Sequence, residues 1–154
     1  MTDKEWKQSL SLHTVGDWVT NTHCVPTAIA ALTGQPIPVV MGHINSLASK
    51  DCLQLDQFQG VPPKYWLDAL KLMGLRPKVD CHHKGKTIEE FMAASFPPAP
   101  ILVMAKDEAL GVTHVFAVHG NSFVDTYTGG AVQNFKKVPD DMKNFRLLGE
   151  VFFT

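Results

Sequence analysis

Two strand-like runs, Thr113-His114-Val115-Phe116-Ala117-Val118 and Phe123-Val124-Asp125-Thr126, flank His119-Gly120-Asn121-Ser122. Branched and aromatic residues favour strands, and a Gly-Asn pair between them is a turn signal, so the segment reads as an antiparallel hairpin. The turn length then dictates the facing of every side chain. With Gly120-Asn121 as the central pair, Phe116 stands opposite Asp125, and His114 is the diagonal neighbour of Asp125 on the same sheet face. A shift of one residue would send the two to opposite faces. A carboxylate placed in this way orients an imidazole, which is the arrangement a general base requires.

The matching nucleophile lies ninety residues upstream of His114, in Asn21-Thr22-His23-Cys24-Val25-Pro26-Thr27-Ala28-Ile29-Ala30-Ala31-Leu32-Thr33-Gly34. Polar capping residues run straight into an apolar helix, so Cys24 falls at a helix N-terminus, where unpaired amides and the helix dipole stabilise a thiolate. Cys24, His114 and Asp125 therefore form a candidate catalytic triad, recognised by roles and not by adjacency. An oxyanion hole needs donors aimed at developing negative charge. The Cys24 amide is the first candidate and Asn21 the second, although a helix cap accounts for Asn21 equally well.

The rest of the chain is punctuated by proline and glycine. Gly34-Gln35-Pro36-Ile37-Pro38 ends the Cys24 helix, and residues 39–47 suit a second. Gly60-Val61-Pro62-Pro63 introduces a helix with Trp66, Leu67, Leu70 and Met73 at helical spacing, stopping at Gly74. A strand is predicted at residues 75–79. Thr87-Ile88-Glu89-Glu90 has the pattern of a capping box for a short helix, closed by Pro97-Pro98-Ala99-Pro100. Residues 101–105 form an apolar run suited to a buried strand, and a last strand is predicted near residues 145–153. Helices first and an antiparallel sheet second is the α+β arrangement.

Composition narrows the function classes. With 154 residues, 45% of them hydrophobic and 19% charged, residues 1–154 are expected to form a single domain with a substantial core. A net charge of −1 offers no basic excess for phosphates, so nucleic acid is excluded as an expected partner. No apolar run nears 18 residues and the first residues are polar, which predicts a soluble, cytoplasmic protein without a membrane partner. Three cysteines suit a reducing compartment better than a disulfide framework.

The remaining histidines, tryptophans and cysteines suit other roles. His119 is the nearest rival as base, but its parity places it on the opposite face, beside the turn. His23 suits an exposed loop, and Trp18 and Trp66 suit either a cleft wall or the core. Cys81-His82-His83 with Cys52 or His43 is a weak zinc pattern, because adjacent ligands serve one tetrahedral ion poorly and no Cys-x-x-Cys pair exists. No metal or other cofactor is expected, and no phosphate-binding glycine loop is present.

Four segments carry a family resemblance. Cys-x-x-x-Ala-Ile-Ala-x-x-Thr-Gly at Cys24 to Gly34, Gly60-Val61-Pro62 before a helix ending at Met73-Gly74-Leu75, Lys86-Thr87-Ile88-Glu89-Glu90-Phe91, and His114-Val115-Phe116-Ala117-Val118-x-Gly120 through Asp125-Thr126 resemble small phage-encoded proteins with a papain-like cysteine-peptidase fold. The resemblance covers roughly residues 18–128. It implies Cys24 as nucleophile, His114 as general base and acid, and Asp125 as orienting residue. The family more often has an acidic residue just before the cysteine and a basic one three positions after it; here these are His23 and Thr27. The expected function is a thiol-dependent hydrolase of peptidase or isopeptidase type, acting on a protein or peptide of host or phage. A deamidase or acyltransferase with the same triad, or a non-catalytic anti-host binding protein on this scaffold, is the alternative.

Overall fold

The computed structural model describes residues 10–17, 24–53, 61–94, 97–109, 111–134 and 140–153. Its centre is helix α1 (Cys24–Thr33), whose sequence is apolar on all sides and which is accordingly buried on all sides, with Val25, Ala28, Ile29, Ala31 and Leu32 sealed from solvent. Gly34 ends it in a left-handed conformation (φ 74°), its N–H donating to the Ala30 carbonyl at 2.8 Å.

Helix α2 (Ile37–Lys50) starts two residues earlier and ends three later than residues 39–47. The prolines read as a stop for one helix also open the next, because a proline in the first turn gives up an N–H that has no intrahelical partner. Asp17 caps this start from a distance, its Oδ2 accepting from the Ile37 N–H at 2.9 Å. Helix α3 (Pro63–Leu72) buries Tyr65, Trp66, Ala69 and Leu70, and Met73 and Gly74 lie just past its end.

The sheet has six strands, β1 (Pro77–Asp80), β2 (Ile101–Asp107), β3 (Thr113–His119), β4 (Ser122–Val124), β5 (Val132–Asn134) and β6 (Phe145–Phe153). Their spatial order is β1-β6-β2-β3-β4-β5 and every pairing is antiparallel. Strand β5 has no counterpart in the sequence reading, and β1 begins two residues later than expected. Helix α4 (Ile88–Ala94) is started by Thr87, whose Oγ1 accepts from the Glu90 N–H at 3.1 Å. The Glu90 carboxylate accepts from that same hydroxyl, not from the Thr87 amide that a capping box predicts.

The architecture is thus mixed α+β, with α1 to α3 covering one sheet face and α4 the other. Leu102, Val115, Ala117, Val124 and Val151 pack toward α1, while Val103, Phe116, Phe123, Phe145 and Leu147 form a second core with Phe91 of α4. A register shift in β6 divides its pairing with β2. Met104 pairs with Gly149 and Ala105 with Leu147, so Leu148 is the extra residue of a β-bulge. Among the described residues no single helix is long and apolar enough to cross a membrane.

Candidate active site

The β3–β4 hairpin has the register its turn length dictates. His119 pairs with Ser122, Val118 with Phe123 and Ala117 with Val124, leaving Gly120-Asn121 as the two-residue connection. Gly120 has φ 60°, as the first central position of a type II′ turn requires. Strand β4 ends at Val124, so Asp125 is not a strand residue but the cap of a short 3-10 turn, Thr126–Thr128. This fixes its carboxylate more firmly than a strand position would. Oδ1 accepts from the Thr126 N–H at 2.6 Å and from the Thr126 hydroxyl at 3.2 Å, and the Asp125 N–H donates to Thr128 Oγ1 at 3.2 Å.

His114 Nε2 meets the same Oδ1 at 2.6 Å. Both residues are buried, His114 at 5% and Asp125 at 1% exposure, so the bond is shielded from water. Three aromatic rings fix the imidazole plane: Tyr127 and Phe145 at 5.3 Å between centroids, and Phe116 near-parallel at 6.2 Å. With Nε2 donating to Asp125, Nδ1 is the ring nitrogen left for a third partner.

That partner is Cys24, the first residue of α1, which lines a common cleft with His114. Burial disfavours the imidazolium and is the largest single influence on His114, but it is outweighed. The Asp125 charge and hydrogen bond, together with a hydrogen bond and charge from Cys24, push the His114 pKa up to about 10. The imidazole therefore carries a proton at neutral pH. Cys24 is the first described residue of α1.

The structure thus brings Cys24, His114 and Asp125 together. His119 stands away from them at the hairpin end, its Nε2 3.3 Å from the Pro98 carbonyl. Asn21, His23 and Trp18 lie outside the described residues. Trp66 serves in both of its proposed capacities, being 1% exposed in the core and lining the cleft.

Cys81, His82 and His83 do not converge with Cys52 or His43. Cys52 and Cys81 are exposed, and His83 instead turns inward, its Nε2 3.8 Å from Glu150 Oε1. Among the described residues no group of three His, Cys, Asp or Glu side chains is placed to hold a metal ion.

Sequence reasoning missed the apolar lining of the cleft. Val25, Val61, Met104, Val115 and Leu148 line it beside Cys24 and His114. One signal was available for Leu148, since a glycine inside a strand pattern, here Gly149, marks a bulge. No protein-family model matches the chain, and no curated protein matches it.

Proposed function

We propose that this chain is a thiol hydrolase of the papain-like type, grouped with the small phage-encoded proteins its sequence resembles, and that its substrates are proteins or peptides. The observation that carries the reading is the buried 2.6 Å contact from His114 Nε2 to Asp125 Oδ1, with Cys24 lining the same cleft as His114.

The reaction follows from those positions. The Cys24 thiolate attacks the acyl carbonyl carbon, and the oxyanion that forms takes a hydrogen bond from the Cys24 N–H. The C–N bond then breaks as His114 gives its proton to the departing amine, leaving an acyl-thioester on Cys24. Water adds to the thioester with His114 accepting its proton, the C–S bond breaks, and the free acid leaves as the thiolate–imidazolium pair is restored. Asp125 holds the ring throughout and stabilises its charge. An amine in place of that water gives acyl transfer with the same three side chains.

The test is mass spectrometry of bacterial extract treated with wild-type protein or with Cys24→Ala. New peptide termini, or mass changes at amide side chains, that depend on Cys24 are the expected result and also reveal the reaction type. Identical extracts would replace this reading by a binding protein.

A further inference from the structure

The cleft beside Cys24 is small and mostly apolar. Among the described residues, no titratable side chain lines it apart from Cys24 and His114, and Thr113 supplies a hydroxyl. Its volume is about 70 Å³. An apolar cavity of roughly 150 Å³ accommodates benzene, so a space half that size excludes an aromatic ring yet holds a branched group of a few carbons.

Two residues set this size, and the bulge in β6 places both. The extra residue of the bulge, Leu148, enters the cleft, while Gly149 pairs with Met104 across the sheet. A Cβ at position 149 would lie 3.1 Å from the Met104 methyl and 3.1 Å from the Asp80 carbonyl, so glycine leaves Met104 room to reach the cleft. Bulges recur beside active sites because they re-aim a side chain at the cost of one ladder position. From this we infer that Leu148 and Met104, facing Trp66 and Val25, select substrates whose acyl part carries a small branched aliphatic group, and that they reject aromatic and charged groups. The acyl part is the one concerned because it is the part that becomes bonded to Cys24, which lines the cleft. Burying a carboxylate or ammonium here would leave it without a countercharge other than the triad itself.

This inference rests on the hydrolase reading and is tested so that the two fail separately. The probes are the p-nitrophenyl esters of acetate, isovalerate and phenylacetate. Cys24 attacks the ester carbonyl, the C–O bond breaks, and nitrophenolate departs with the electron pair, giving a coloured burst and an acylated cysteine visible by intact mass. Each rate is divided by that of glutathione with the same ester, which removes intrinsic reactivity. Isovalerate is expected to acylate Cys24 at least about 10-fold faster than phenylacetate, the discrimination that a misfit in an apolar pocket produces. Leu148→Ala and Met104→Ala, each enlarging the cleft, bring that ratio toward one. Because the ratio compares two esters on one sample, it is insensitive to any loss of folded protein. Acetate, which does not need the pocket, reports on the triad alone. Acylation by acetate with an isovalerate-to-phenylacetate ratio near one, or a ratio unmoved in both variants, overturns the pocket and leaves the hydrolase standing. Absence of acylation even by acetate overturns the hydrolase and this inference with it.

Discussion

Among the described residues two histidines face buried carboxylates, and their pKa values are pushed in opposite directions. His114 and Asp125 meet at 2.6 Å, and the histidine pKa is pushed up to about 10. His83 and Glu150 stand 3.8 Å apart; burial, then the nearby Lys86 and His82, pushes the His83 pKa down. Burial also pushes the Glu150 pKa up, with Asp80, its partner across the β1–β6 ladder, adding to the effect. The two carboxylates are equally withdrawn from water, at 1% and 2% exposure, so burial alone does not separate the cases. The difference lies in what the chain offers each carboxylate. Asp125 sits where a strand gives way to a turn, and the Thr126 amide is available to it. Glu150 sits mid-strand between β1 and β2, and its Oε1 has no hydrogen-bond partner among the described residues. The Asp125 oxygen that meets its histidine also has a backbone donor, while Oδ2 has no partner among the described residues; the Glu150 oxygen nearest its histidine has no such donor, and burial then decides the direction of both shifts there.

The sharpest way to break this contrast is to remove each histidine in turn. His114→Ala is expected to lower Cys24-dependent hydrolysis by about 10²- to 10⁴-fold, the usual worth of a positioned acid–base group. In a pH series with iodoacetamide and peptide mapping, wild-type Cys24 alkylates faster than Cys52 and Cys81. Its rate persists below the range where an ordinary thiol, with pKa about 8.5, loses its thiolate. His114→Ala abolishes that advantage and His83→Ala leaves it intact. Equal rates at all three cysteines in the wild type would remove the thiolate–imidazolium pair from consideration.

A smaller effect is expected from changing only the carboxylates. Asp125→Asn keeps the shape but loses the charge that holds the imidazolium, and should lower acylation of Cys24 by on the order of 10²-fold. Glu150→Gln should leave acylation unchanged and, at pH 7, leave the urea midpoint at or above that of the wild type. A matching loss of acylation in Glu150→Gln would make the two pairs one coupled network.

Stability against pH separates the pairs by sign. The raised His114 pKa means that the folded state keeps a proton which the unfolded state releases above about 6.5, so its contribution is complete below 6.5 and is lost as pH rises toward 10. The slope is at most about 1.4 kcal/mol per pH unit and vanishes in His114→Ala. His83 acts the other way: its lowered pKa makes the unfolded state the better proton acceptor below 6.5, so acidification costs stability there. Glu150, with a raised pKa, opposes His83, binding its proton in the folded state first as pH falls. Urea titrations of wild type, His114→Ala and His83→Ala between pH 5 and pH 10 read the two limbs separately. A basic limb unchanged by His114→Ala would contradict the charged state assigned to that histidine.

The smallest expected change tests the cap itself. Thr128→Ala removes the hydroxyl that accepts from the Asp125 N–H and donates to carbonyl groups at Asp125 and Ala131. It should cost about 1 kcal/mol in urea unfolding and lower Cys24 acylation only a few-fold. A loss as large as that of Asp125→Asn would mean the 3-10 turn, more than the carboxylate charge, determines the imidazole geometry.

Periodicity and turn chemistry made much of this legible. The hairpin register was readable because Gly120-Asn121 leaves one pairing scheme, and the α3 and β6 segments because their apolar spacing spans the whole element. What escaped depended on tertiary partners. Asp125 was readable as a residue on the right face but not as a cap, since a three-residue 3-10 turn has no period to detect. Helix α2 was read short because Pro36 and Pro38 signal a stop and a start alike, and the Asp17 carboxylate that decides between them is twenty residues away. The His83–Glu150 pair joins residues 67 positions apart, and Leu148 reaches the cleft through a bulge that Gly149 signals but that only the pairing with β2 locates.

The two-residue turn at Gly120-Asn121 has a consequence for how this protein tolerates change. Surface turns usually absorb insertions without penalty, since strands on either side go on pairing whatever lies between them. Here one added residue, with the pairing re-formed around it, would leave an equally well-bonded sheet while rotating the segment after it by half a pleat. Asp125 would then face α1, and His114 would lose its carboxylate. A library of single-residue insertions should therefore find this exposed turn silent in assays of folding and intolerant in assays of activity, because what it transmits to the site is its length.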